Sequence, residues 1–471
     1  MPTAPIDLPW PEAGGLLLAW GVLLAAAAAC LGLLILLLGL NRVFRRAPRL
    51  ADGPAMASGS PGSGVPVSGV PGCDTPGCDG PGCDRQRLET SLTVVVPVYN
   101  EAHNIGPCLS SVLASVSPCR DWQVLLVDDR SSDDTVAIAR ATAVACGTAV
   151  RSDPAVRSDP AVACDPAGSG GAAGGGQVAP ARFAVLDAGP RPAGERWVGK
   201  NWACSVAMEQ VGSDWVLFLD ADVRLQPRTL LRALDQAVAE GADLLSLAPR
   251  LACDCLAEWM VQPIMASLLG LGFPIEAAND PASPVAFAAG PFMLFRRSAY
   301  RAIGGHRDLA AVVVEDLALA QRIKARGLRL RYLLGLDAVE LHMYPDFGAL
   351  WEGWSKNWLL GLDGSVAKAL AAAAVVLLLF SGPWLLAPAA ALLAGLLPGC
   401  RLLLLVALTL SLLGIGLQLA LRLWTRARFQ VPLTHWWLMG VGGLVVAAIG
   451  PTSVWRTLTG RGWTWKGRPL A

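Results

Sequence analysis

The chain has 471 residues, 54% of them hydrophobic and 16% charged, with a formal net charge of +1. That length accommodates a globular domain plus membrane segments. A charge so near zero excludes the basic footprint of a nucleic-acid-binding protein, so no nucleic-acid partner is expected.

Residues 16–40 form an uncharged apolar run long enough to cross a bilayer. Nothing basic precedes it, whereas Arg42, Arg45, Arg46 and Arg49 follow. A cleaved signal peptide would have a basic start and a shorter core, and the same flank argues against a lipoprotein site at Cys30. The positive-inside rule places the amino terminus outside and the next domain in the cytoplasm. Residues 1–50 therefore read as an anchor with a basic flank. Residues 51–90 are rich in Pro, Gly and Ser and read as a disordered linker. Within it Cys73, Cys78 and Cys83 repeat in a Pro-Gly-Cys-Asp unit with no histidine nearby, which is not a metal-knuckle spacing. The expected cytoplasmic location also argues against disulfides.

Residues 91–345 alternate between apolar runs and helical patterns. "LTVVVPV", "QVLLVDD", "FAVLDA" and "VLFLD" are predicted strands. "NEAHNIGPCLSSVLASV", "SSDDTVAIARATA" (capped by Ser131 or Ser132) and "WACSVAMEQV" are predicted helices between them. This alternation predicts an α/β fold with a mainly parallel sheet and helices on both faces. Residues 149–178, a hexapeptide repeat followed by a glycine tract, read as a surface insertion.

Ligands of such sheets bind beyond the carboxyl ends of the strands. The residues there are Tyr99, Asp128, Asp129, Asp220 and Asp222. In an extended chain Asp220 and Asp222 point the same way. Two such carboxylates repel unless one is protonated or a cation lies between them. Mg²⁺ or Mn²⁺ is commonly held by one or two carboxylates together with substrate phosphates. The pair therefore suits a nucleotide diphosphate, although two aspartates are also ordinary turn residues. Several acidic strand ends on one edge favour the site.

The segments "VVVPVYNE", "VLLVDDRSSDDT", "VGKNWA", "LFLDADV", "GPFMLFRR", "VVEDLALAQRIKARG" and "LWEGWSKNW" occur in the order found in family 2 glycosyltransferases. Over about residues 93–358 the chain resembles that family, and in its order of spans the membrane-anchored members that glycosylate carotenoids or hopanoids. The resemblance implies a GT-A-like fold and a nucleotide-sugar donor, UDP- or GDP-linked. It implies that Pro97, Tyr99 and Asp129 line the nucleotide base, with Lys200 near the donor. Asp220 and Asp222, a DxD motif, would hold the metal and diphosphate. Asp316 would be the general base, supported by Glu315. Glu101 belongs to the donor group, and Gly290 and Pro291 are acceptor or lid positions.

Inverting sugar transfer also needs, on chemical grounds, a group that removes the acceptor proton. Glu315 and Asp316 can equally be read as favourable charges at a helix start. Trp351, Trp354 and Trp358 share a helix face, as expected of an interfacial helix over residues 346–364. Trp354, Lys356 and Trp358 are also lid candidates. They stand where many family members carry Gln-x-x-Arg-Trp, and the departure favours a single transfer over a processive synthase.

"GERWVGK" (residues 194–200) matches a phosphate-binding loop, but bulky residues fill it and Asn201 replaces the Ser or Thr that would bind magnesium. His103, His306, His342 and His435 are scattered and read as no metal site. Apolar runs at 366–397, 402–421 and 431–450 predict about three more spans within 365–452, unless the last is re-entrant or Ser381-Gly382-Pro383 divides the first. Residues 453–471 form a basic tail containing Arg456, Arg461, Lys466 and Arg468.

The resulting expectation is a multi-pass cell-membrane enzyme with a cytoplasmic catalytic domain, moving one sugar onto a carotenoid-like lipid. The alternatives are a polysaccharide synthase or polyprenyl-phosphate sugar transferase, and a non-catalytic nucleotide-binding membrane protein.

Overall fold

The computed structural model describes residues 10–51, 89–151, 181–429, 431–460, 464–465 and 468–469. The Pro-Gly-Cys-Asp repeat, most of the 149–178 insertion, Arg461 and Lys466 lie outside the described residues. Contacts divide the chain into two units. A helical unit takes residues up to Ala47, Arg250–Ala277 and His342 onward, and a sheet unit takes Pro48–Pro249 and Ala278–Leu341.

In the sheet unit the strands are β1 (Ser91–Val98), β2 (Asp121–Asp128), β3 (Val150–Arg151), β4 (Arg182–Asp187), β5 (Trp215–Leu219), β6 (Val223–Leu225) and β7 (Leu244–Ala248). A two-residue β8 (Arg250–Leu251) opens a segment of the helical unit. β9 (Phe292–Arg296), β10 (Leu330–Leu334) and β11 (Val339–Leu341) complete the sheet unit. The main sheet runs β10-β7-β9-β5-β1-β2-β4-β3. Its pairings are parallel except those of β9, which is antiparallel to β5 and β7.

The β-branched run of β1 explains its place near the centre: Val94, Val95 and Val96 are all sealed from solvent. Phe218, Phe295 and Tyr300 stack edge-on or tilted in the same core. The reversal of β9 brings its first residues to the edge where β5 ends, and Asp220 N donates to Pro291 O at 3.2 Å.

The predicted strands and helices are found, with one correction. The second helix begins at Thr135, and neither Ser131 nor Ser132 caps it. Their polar groups go instead to the preceding turn: Asn100 N donates to Ser131 Oγ (3.0 Å) and Ser132 N to Asn100 Oδ1 (2.8 Å). Asn100 and Arg130, which follow β1 and β2, both have left-handed backbones (φ 50° and 63°). Asn tolerates that conformation because its side chain bonds locally.

In the helical unit, among the described residues, four helices are long and apolar enough to cross a membrane: Gly14–Arg46, Val366–Leu396, Pro398–Phe429 and Trp436–Leu458. The third carboxyl-terminal span starts and ends later than its apolar run predicts. Ser381-Gly382-Pro383 does not divide the first, because a π-turn at Leu377–Ser381 carries the helix through. The carbonyls of Leu379 and Phe380 accept from Gln418 Nε2 at 3.0 and 2.8 Å. In an apolar unit such pairing is needed, because no water is at hand to satisfy them.

Helix Leu256–Gly272, which falls within the 91–345 stretch expected to be α/β, is grouped with the spans. Glycine permits the close approach: a Cβ on Gly442 would lie 2.0 Å from Met260 O. Helix Phe347–Leu360 buries Trp354 and Trp358 in this unit's core, with Trp351 packed against it.

Candidate functional site

The parallel strands deliver their carboxyl ends to one edge. Register places Pro97 beside Val127 and Val98 beside Asp128, so Tyr99 and Asp129 follow side by side. Asp128 accepts from Ser131 N at 3.1 Å, which ties the turn after β2. Asp129 is buried and pairs with Arg191 Nη2 at 2.7 Å, while Arg191 Nη1 donates to Trp197 O. A Cβ on Gly199 would come within 2.5 Å of Asp129 Oδ2, so this approach requires glycine.

Helix Gly199–Gln210 opens beneath this edge and presents Lys200. Its Nζ lies 2.7 Å from Asp220 Oδ1 and 2.8 Å from Glu315 Oε1. Burial opposes the charge on Lys200, but Asp220 and Glu315 hold its pKa well above the ordinary value. Burial likewise works to raise Glu315, yet the Lys200 ammonium outweighs it and keeps the carboxylate below its usual range. Asn201, the next residue, donates to Leu309 O (2.6 Å) and Val312 O (2.8 Å). "GKN" is thus a clamp on the loop that leads to Glu315, not a phosphate-binding loop.

Asp222 differs from Asp220. Its Oδ1 is sealed and has no hydrogen-bond partner among the described residues. Burial, then the charges of Asp220 and Glu101, push its pKa well above the normal carboxylate value. Glu101 is held by its own turn, its N donating to Thr135 Oγ1 and its Oε2 accepting from Asn104 Nδ2.

Glu315 and Asp316 open helix Glu315–Ala325, and Arg322 and Lys324 close it. That charge order suits the helix dipole, so the structural reading of the acidic pair holds as well. Asp316 Oδ2 accepts from Gly290 N at 3.1 Å and Oδ1 from Leu317 N at 2.8 Å. Burial, then the Glu315 charge, push Asp316 up to about 6. Gly290 and Pro291 therefore stand against Asp316 and Asp220 respectively. His306 is buried against Tyr300 and burial lowers its pKa to about 3, as fits a neutral structural histidine.

One edge thus gathers Pro97, Tyr99, Glu101, Asp129, Lys200, Asp220, Asp222, Gly290, Pro291, Glu315 and Asp316. The lid candidates belong to the helical unit. There Trp354 Nε1 donates to Gln262 Oε1 and Trp358 Nε1 to Ala369 O, and Lys356 is half-buried. The sequence reading missed Arg191 and Asn201. Arg191 follows the carboxyl end of β4, a position that is itself a signal. Asn201 stands next to Lys200 and carries no charge to draw notice.

A divalent cation fits the residues present. Asp222 offers an open carboxylate oxygen beside Asp220, where a cation would relieve the repulsion. No group of three or more His, Cys, Asp or Glu ligands is assembled among the described residues. Donor phosphates and water would have to complete the shell, as is common for Mg²⁺.

Comparison with known proteins gives a resemblance to one family. Residues 93–148 and 191–304 match the model "Glycosyl transferase family 2". The match is interrupted over the repeat-bearing insertion and ends before Glu315. A 4,4'-diaponeurosporenoate glycosyltransferase of Staphylococcus aureus (strain MRSA252) is 26% identical over 293 residues, covering 62% of this chain and 66% of the relative. The chain therefore spans just under two thirds of that relative's length. A solved mannosyltransferase from Pyrobaculum calidifontis, in complex with GDP-Man and Mn2+, aligns over 93% of this chain and 99% of its own at 16% identity and a TM-score of 0.43. A glucosyl-3-phosphoglycerate synthase from Mycobacterium tuberculosis aligns over 57% of this chain and 76% of its own at 16% identity and a TM-score of 0.34. Over residues 93–148 and 191–304, most of which lie in the sheet unit, the chain is similar to family 2 glycosyl transferases.

Proposed function

We propose that the chain is a membrane-bound, metal-dependent, inverting glycosyltransferase that moves a single sugar from a nucleotide-sugar donor to a lipid acceptor of carotenoid type. One observation carries the reading. At one sheet edge the open carboxylate of Asp222 and its neighbour Asp220 are joined, through Lys200 and Glu315, to a second acidic group with a raised pKa, Asp316. Two carboxylate sites with different environments are what a displacement needs, one at the leaving group and one at the nucleophile.

Asp220 and Asp222 would hold Mg²⁺ or Mn²⁺, whose charge would stabilise the departing diphosphate. Pro97, Tyr99 and Asp129 would line the nucleotide base, with Arg191 fixing the Asp129 carboxylate. Each Asp316 oxygen spends one lone pair on a backbone N–H and keeps another for a proton. For an acceptor hydroxyl, Asp316 takes that proton as the oxygen forms its bond to the anomeric carbon. The bond from that carbon to the diphosphate breaks on the opposite face, and the electron pair leaves with the diphosphate. Asp316 then carries the proton to solvent.

A second reading concerns the acceptor atom. The Staphylococcus aureus relative is named for an "-oate", a carboxylate. A carboxylate acceptor is already ionised at neutral pH and needs no base. Asp316 would then only orient the nucleophile.

The test uses the full chain in nanodiscs, labelled nucleotide sugars and an extract of isoprenoid lipids. The expected product is an organic-phase lipid carrying one sugar, formed with Mg²⁺ or Mn²⁺ and lost with chelator. Long polymer, or transfer only to water-soluble acceptors, overturns the reading. Comparing Asp316→Asn on hydroxyl and carboxylate acceptors decides which acceptor atom attacks.

A further inference from the structure

Arg422 lies on the span Pro398–Phe429 of the helical unit and is 1% exposed. Only Nη2 is used: it donates to Pro432 O at 3.2 Å and Thr434 O at 3.3 Å. Nε and Nη1 are buried with no hydrogen-bond partner among the described residues. None of the ion pairs among the described residues involves Arg422. Glu258, the buried acid next in sequence to Trp259, is already committed. Its Oε2 accepts from Asp254 N at 2.9 Å and its Oε1 from Tyr344 N at 3.0 Å.

The surroundings are shaped rather than merely crowded. The guanidinium carbon of Arg422 sits over the Trp259 ring at 5.4 Å. The His435 ring lies 5.9 Å from the same indole, and its Nδ1 is also buried without a partner. His435 is held in a left-handed backbone conformation (φ 58°), which a non-glycine residue adopts only when its surroundings impose it. Pro432 and Thr434, which accept from Arg422, line a cavity of about 560 Å³ together with Arg426 and Leu433.

A guanidinium always carries its charge, and three of its N–H bonds are unspent here. Burying such a charge without a counter-ion is strongly unfavourable, so buried arginines are normally paired. The missing partner must be an oxyanion, because only that supplies both charge and acceptors. Arg422 lies seven residues before the end of its helix, about 10 Å along the axis, nearer the end of the span than its middle. Arg426 and Arg428 follow it, so the local field also draws anions.

We infer that Arg422, with Arg426 and the Trp259–His435 pair, forms a binding site in the helical unit for the anionic phosphate head of a membrane lipid. The site does not depend on the sugar-transfer reading, since it uses none of the sheet-edge residues.

The test is thermal unfolding of the full chain in neutral detergent, titrated with phosphatidylglycerol, with phosphatidylcholine of the same acyl chains, and with inorganic phosphate. Phosphatidylglycerol should raise the midpoint saturably, and the other two should not. Arg422→Gln should shift the half-saturating concentration at least tenfold, and Arg426→Gln, at an exposed rim position, about threefold. An unchanged half-saturation in Arg422→Gln overturns the site. If that variant does not fold, an unchanged response in Arg426→Gln does so. An equal response to phosphatidylcholine removes the anion from the proposal, and an equal response to phosphate removes the lipid.

Discussion

The two units of this chain bury opposite charges in opposite states. In the sheet unit the cation is satisfied, with Lys200 between Asp220 and Glu315, and the open group is an acid, Asp222, through its Oδ1. In the helical unit the acid Glu258 is satisfied by backbone N–H groups, and the open group is a cation, Arg422. A charge satisfied by its own chain fixes structure. A sealed charge left open asks for a partner of the other sign, and the two units ask for different ones.

The largest effect should come from Asp316→Asn. With a hydroxyl acceptor, transfer should fall about 10²–10⁴-fold while donor affinity holds, read by single-turnover kinetics beside donor titration. The pH profile carries the same prediction. The proposed base, Asp316, would work ionised, and its pKa is raised to about 6. kcat/KM for a hydroxyl acceptor should therefore fall about tenfold per unit as pH drops below that value and level off above it.

Lys200→Met removes the satisfied cation and leaves Asp220 facing Glu315. Stability should fall by about 2–3 kcal/mol, measured by denaturant unfolding of the sheet core. The helical unit has its own packing test. Gly442→Val should lower stability by about 1–3 kcal/mol through overpacking against Met260, read from thermal unfolding in detergent. Arg422→Met sharpens the comparison most, because its sign differs from that of Lys200→Met. An unpaired buried charge is replaced, so stability in anion-free detergent should hold or rise, by up to about 1–4 kcal/mol.

Much of this was legible in the sequence, for identifiable reasons. The β-branched run at Val94–Val96 and the acidic endings at Asp129 and Asp220 mark the strands and the sheet edge where the candidate site lies. Asp220 and Asp222 were legible as a pair because strand spacing alone aims them together. Helix Leu256–Gly272 was harder to place, since an apolar helix does not declare whether a sheet or other helices will cover it; the glycine that receives it, Gly442, lies far along the chain. Ser131 looks like a cap because caps are recognised locally, but a long-range partner, Asn100, takes its hydroxyl. Arg422 directly follows the apolar run 402–421, with Arg426 and Arg428 close behind, and only packing shows that it is sealed.

The central claim is that the open carboxylate of the sheet edge is completed by a divalent cation with the donor diphosphate. Calorimetric titration of a nucleoside diphosphate into the full chain, with and without Mn²⁺, tests it without any assumption about the acceptor. Wild type and Asp316→Asn should both bind at least tenfold more tightly with Mn²⁺, and Asp222→Ala should lose that enhancement. An Asp222→Ala protein that keeps the full Mn²⁺ enhancement would contradict the account.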